Sequence, residues 1–296
     1  MAISKVAIAG ATGNVGPAIL NALLTAGFEV TVLSRSSSHK LDPRVKLQEV
    51  DYSSQDSLTT ALAGQDAVVN ALSVGLVARD IHLRLVEAAH AAKVKRYIPS
   101  EFGSDTVHHL TAQIPVFGDK VAILERLKEI SAQDQEFSYT AVINGPFFDW
   151  GLEKKFFLDV SGPTTTIYDG GDVQVSSTTL SGVGRAVAGV LQNFDETKNR
   201  PVYVAETVFT QNKLLEWSGK ADQIEKIHVA TDQLEQKAFE AIKQPTPDGA
   251  TFARNLILRA IFGGKYGAHF SKTDNELLGV KELSDAEVKN LLKQYA

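Results

Sequence analysis

Three glycines, Gly10, Gly13 and Gly16, punctuate the stretch Val6-Ala-Ile-Ala-Gly-Ala-Thr-Gly-Asn-Val-Gly16, and this pattern has a direct chemical use. A glycine turn lets backbone N–H groups approach a pyrophosphate closely, and a helix opening there adds the positive end of its dipole. Gly10, Thr12, Gly13, Asn14 and Val15 are therefore candidate phosphate contacts. The same glycines would equally serve a turn that only lets a strand and a helix pack. Farther along, Ser34-Arg35 is followed by Ser36-Ser37-Ser38-His39-Lys40. An acidic residue after the second strand of a dinucleotide-binding unit would hold the ribose hydroxyls of NAD, whereas a basic one accommodates the extra phosphate of NADP. There is no carboxylate here. Arg35 brings a planar fork of donors and Lys40 a second positive charge, so a cofactor at this turn would be NADP; apart from a cofactor, both are ordinary loop cations.

Other chemistries find no pattern. The seven histidines form no H-E-x-x-H and no i,i+4 pair, which leaves no helical zinc face. No G-x-S-x-G elbow precedes a helix. With no cysteine, disulfides, thiolate metal sites and cysteine nucleophiles are excluded. A formal net charge of −5 gives no electrostatic footprint for direct nucleic-acid binding.

The elements that must carry these residues follow from periodicity. Val6 to Ala9 is an apolar strand, Asn14 to Ala26 a helix closed at Gly27, and Glu29 to Ser34 a β-branched second strand. Strands are also expected at 45–50, 66–71, 96–99 and 137–143, with helices at 56–62, 79–92 and around Val121, Leu124, Leu127 and Ile130. Apolar strands alternating with amphipathic helices predict an α/β fold of the Rossmann type, a doubly wound parallel sheet with ligands beyond the carboxyl ends of its strands. Past Gly151 the pattern is coarser. Asp169-Gly-Gly-Asp172 marks a hairpin or turn, 180–191 a helix and 201–205 a strand, while 212–296 is mostly helical and Ser284-Asp-Ala-Glu287 fits a capping box. The expected division is a dinucleotide-binding domain over 1–151, rejoined by about 179–205, and a smaller C-terminal substrate-binding lobe from the rest of 152–296. Asn144 to Gly151, rich in turns and aromatic rings, lies at the end of the sixth strand, where a substrate pocket would be lined.

The glycine turn, Arg35 and above all Val94-Lys-Arg-Tyr-Ile-Pro-Ser-Glu-Phe-Gly103 resemble the isoflavone reductase-like and NmrA-like branch of the atypical short-chain dehydrogenases/reductases. Ordinary members of that superfamily use Tyr-x-x-x-Lys, and none of the seven tyrosines here has a lysine four residues on. Reductases of the resembled branch instead carry a lysine opening the helix after the fifth strand, a position that Lys120 matches. The resemblance thus implies NADPH as cofactor, Lys120 as proton donor and acceptor, and a cofactor set of Gly10, Thr12, Gly13, Asn14, Val15, Arg35, Lys40, Ser73 and Lys120. Phe102 and Phe147 fall toward the substrate. A lysine suits the task because burial beside a positively charged nicotinamide lowers its pKa toward neutrality.

Two functions are therefore weighed. The first is an NADPH-dependent reductase that passes a hydride to an aromatic or conjugated small molecule. The second, also found in this branch, is a redox sensor that binds NADP(H) without turnover and acts through a protein partner. The lysine favours the enzyme. No apolar run approaches the ~20 residues needed to span a bilayer, and the first strand follows Met1 almost at once, so a cytoplasmic protein is expected.

Overall fold

The computed structural model describes residues 3–38 and 42–295. Its first half alternates as the sequence suggests: β1 (Lys5–Ala9), α1 (Gly16–Thr25), β2 (Glu29–Ser34), β3 (Lys46–Glu49), α2 (Gln55–Leu62), β4 (Ala67–Asn70), α3 (Arg79–Ala91), β5 (Arg96–Ile98), α4 (Gly118–Gln133) and β6 (Ser138–Ile143). Then come α5 (Phe148–Glu153), β7 (Thr164–Tyr168), β8 (Val175–Ser177), α6 (Leu180–Gln192), β9 (Arg200–Tyr203), β10 (Thr207–Phe209), α7 (Gln211–Trp217) and β11 (Glu225–Val229). Helices α8 (Thr231–Ile242), α9 (Gly249–Phe262), α10 (Asn275–Leu278) and α11 (Asp285–Tyr295) complete the chain.

Seven strands form one parallel sheet in the order β3-β2-β1-β4-β5-β6-β9. The order reverses at β1, so a crevice opens between the ends of β1 and β4, where a doubly wound sheet binds its ligands. The pleat explains the two layers of core. Val6 and Ile8 face one side with Ile19, Leu23 and Val187, whereas Ala7 and Ala9 face the other with Leu58, Leu85 and Leu127. Register aligns the strand ends: Ala9 pairs with Leu33 on one side and Asn70 on the other. Gly10, the Ser34–Arg35 corner and Ala71 are thereby brought to one level.

A separate core gathers Phe148, Phe157, Phe209, Phe262, Leu214 and Val288, with two small sheets, β8 with β10 and β7 with β11. The Asp169–Gly171 segment is a turn and not a hairpin, because the strands on either side of it take other partners. Its carboxylate accepts from Thr231 N at 2.8 Å and so anchors the start of α8. The capping box forms: Ser284 N donates to Glu287 Oε2 at 2.8 Å ahead of α11. Among the described residues no helix is long and apolar enough to cross a membrane.

Candidate active site

The chain passes from β1 into α1 through a turn that the backbone could not make with most residues. Gly10 sits at φ +85°, and a Cβ there would stand 2.5 Å from the Ala71 carbonyl carbon. A Cβ on Gly16 would lie 2.2 Å from the Gly10 oxygen. Both glycines are thus demanded by packing. Gly13 is different, since the nearest atom to a Cβ there is the Gly10 oxygen at 3.4 Å. Helix α1 has no side-chain cap and no acidic residue in its first turn, leaving its leading N–H groups without a side-chain acceptor.

From this turn a cleft of about 410 Å³ runs toward Arg35, lined by Gly10, Thr12, Ser34, Tyr52 and Leu72. Arg35 is exposed and makes no ion pair among the described residues. A second hollow continues past it, between Arg35, Asp51, Tyr52 and Ile81. Asp51 caps its own turn, accepting from Ser53 N at 2.8 Å and Ser53 Oγ at 2.6 Å. Lys40, expected beside Arg35, lies outside the described residues.

In the other direction the turn opens on a cavity of about 330 Å³. Asn14, Val15 and Ser73 line its near side, and Phe102, Lys120 and Phe147 its far side. Of the cofactor and substrate residues expected from sequence, six therefore share this cavity, while Gly10, Thr12 and Arg35 share the adjoining cleft. Gly13 lies in the turn between the two groups. Ser100 and Ser104 add neutral hydroxyl residues, and the apolar part of the remaining wall comes from distant elements: Val116 and Phe117 before α4, Trp150 of α5, Phe157, and Ile257 and Ile261 one turn apart on α9.

Lys120 is half-buried in the first turn of α4, and its Nζ donates to the backbone carbonyl of Glu101. Burial lowers its pKa, opposed by the nearby Glu101 charge. The Glu101 carboxyl, 1% exposed, is pushed up by its own burial and accepts from Thr106 Oγ1. Sequence reasoning missed the support beneath Ser73. Asn70, at the end of β4, accepts from Leu72 N at 3.1 Å and donates to Tyr97 Oη at 3.1 Å, with His82 Nδ1 3.0 Å from its amide nitrogen. A polar residue closing an apolar strand was the available signal.

A model of the NmrA-like family matches residues 3–269. Oxidoreductase poxI of Penicillium oxalicum is 36% identical over 217 residues, 72% of this chain and 68% of that protein. Pinoresinol reductase 1 of Arabidopsis thaliana is 30% identical over 257 residues, covering 77% and 78%. Among solved structures, AtPrR2 with NADP+ and (+)pinoresinol superposes with a TM-score of 0.81 over the whole of both chains at 23% identity, a likeness of fold.

Proposed function

The chain belongs to the NmrA-like family, and we propose that it is an NADPH-dependent reductase acting on an aromatic or conjugated small molecule. The observation that carries this reading is the continuity of the site: a cleft ending at Arg35, a glycine turn, and an apolar cavity in which Lys120 is the one charged lining residue among the described residues. Gly13 supports the cofactor. Protein packing leaves room for a Cβ there, whereas a phosphate seated against the N–H groups of the turn and of α1 would not. Arg35 would grip the 2′-phosphate, and Asn14, Val15 and Ser73 would flank the path to the nicotinamide end. NADPH, when bound, supplies the hydride. Lys120 supplies or takes the accompanying proton at the substrate atom where charge develops, its burial bringing its pKa toward the working range.

The substrate class follows from the wall. Phe102, Phe147, Trp150 and Phe157 offer ring faces and edges, and the other polar lining groups are neutral, which favours a flat, uncharged molecule. The AtPrR2 structure is one with (+)pinoresinol, and pinoresinol reductase 1 is named for the same compound. A sensor would need only the cofactor cleft, so the aromatic cavity beside Lys120 supports turnover. In this reading residues 1–151, with 179–205, serve the cofactor, and the remainder of 152–296 closes the substrate side. A cytoplasmic setting belongs to the same proposal, supported by a cysteine-free chain that needs no oxidising compartment. The test is NADPH oxidation over a panel of conjugated aromatic compounds, with Lys120→Met as the control; a panel reduced equally by both chains would sink the assignment of Lys120.

A further inference from the structure

Lys120 and Glu101 lie in different elements, yet the fold ties them directly. The Lys120 Nζ donates to the Glu101 backbone oxygen, and the Glu101 carboxyl is itself fixed by the Thr106 hydroxyl in the loop after β5. The carboxyl makes no ion pair with the lysine within 4 Å, so it acts on it as a nearby charge. Other charged neighbours are already engaged. Asp119 pairs with Arg79 at 2.7 Å, and Lys128 with Glu125 at 2.8 Å. His82 of α3 is fully buried against Asn70, and burial keeps it neutral. Asp105 is buried, accepts from Tyr203 Oη at 3.3 Å, and acts on the Glu101 carboxyl, which its charge pushes up, more than on Lys120.

That leaves Glu101 as the carboxyl whose charge is felt at Lys120. We infer that Glu101 is a positioning residue that sets both the place and the charge balance of Lys120: its backbone oxygen holds Nζ at the cavity wall, and the charge of its buried carboxylate favours the ammonium form against the burial that favours the amine. The two groups then titrate as a coupled pair. Directions agree from both sides, since each group's charge favours the charged form of the other. The inference rests on the reading of Lys120 as the proton-handling group.

Competitive labelling of the whole protein with acetic anhydride reads the lysine without substrate or cofactor. Labelling of each lysine is followed by peptide mass spectrometry across pH, with the exposed Lys226 and Lys243 as internal standards. Only the neutral amine reacts. Glu101→Gln, which keeps the shape and removes the charge, is expected to raise Lys120 labelling about tenfold at a fixed pH below its midpoint. The midpoint moves to lower pH while the plateau at high pH is unchanged; Glu101→Asp, which restores the charge, moves the midpoint back. A loop that is merely loosened would raise the plateau and leave the midpoint in place, and that result overturns the inference. Should Glu101→Gln not fold, Lys120→Met gives the reciprocal reading: the Glu101 carboxyl carbon, followed by NMR, titrates at higher pH without the ammonium, and an unmoved titration overturns the coupling. Neither reading uses NADPH, so a chain that fails to reduce anything would still report whether the pair is coupled.

Discussion

The Cα of Gly10 faces the backbone of Ala71 so closely that a Cβ would stand 2.5 Å from the Ala71 carbonyl carbon. This contact sets the crevice between β1 and β4. Gly10→Ala must therefore spread the strand ends as well as adopt a positive φ, and it is expected to cost about 2 kcal/mol or more. Gly13→Ala meets nothing nearer than 3.4 Å, so its stability should stay within about 0.5 kcal/mol of wild type while its Kd for NADPH rises at least about tenfold. Urea unfolding and calorimetric titration of the two variants separate packing from ligand approach. Equal loss of stability in both would remove the distinction.

Lys120→Met keeps the length and apolar stem of the side chain and removes the proton. Turnover is expected to fall about a hundredfold or more, with the Kd for NADPH changed by no more than about threefold. Single-turnover oxidation of NADPH checks the first number and calorimetry the second. A variant that turns over at the wild-type rate would reassign proton transfer to another group or to water.

Much of this site could be read from local pattern, and the reason is physical. Buried parallel strands such as residues 6–9 of β1 are continuous apolar runs, and the glycine turn and the helix-opening Lys120 each occupy one short stretch. The strands of the C-terminal part are short and half polar, as in Thr164-Thr-Thr-Ile-Tyr168 and Val175-Ser-Ser177, and β7 finds its partner in β11 far along the chain. Periodicity in a small window does not see such pairs. Ile257 and Ile261 reach the cavity only because α8 and α9 pack as a pair over the segment at Val116 and Phe117, and no spacing within α9 announces a ligand.

His82 makes the stability of the crevice depend on pH. Burial lowers its pKa below the ordinary value of 6.5, so on acidification the unfolded chain takes up a proton that the folded chain refuses. Stability is whole above 6.5 and falls as the pH drops from there toward the lowered native value, by at most about 1.4 kcal/mol per pH unit for one group. His82→Gln should be about 1–2 kcal/mol less stable at pH 7 through its weaker fit to Asn70, yet lose part of this slope. Urea midpoints at pH 5, 6 and 7 test it, and parallel curves for the two chains would contradict it.

Arg35 stands exposed at the end of the cleft, where it can add affinity only by meeting a ligand. Arg35→Gln is expected to weaken NADPH about tenfold or more and to change NADH by less than about twofold. Titration of both cofactors against the variant is the check, and equal weakening would mean that Arg35 senses something other than the 2′-phosphate.

The most direct measurement is calorimetric titration of the unmodified protein with NADPH and with NADH. A cleft that runs from Arg35 through the glycine turn to Lys120 predicts a single NADPH site per chain with micromolar or tighter affinity, about −8 kcal/mol or better, and NADH weaker by at least about tenfold. Absence of heat with either cofactor, or equal affinity for both, would contradict the account at its base.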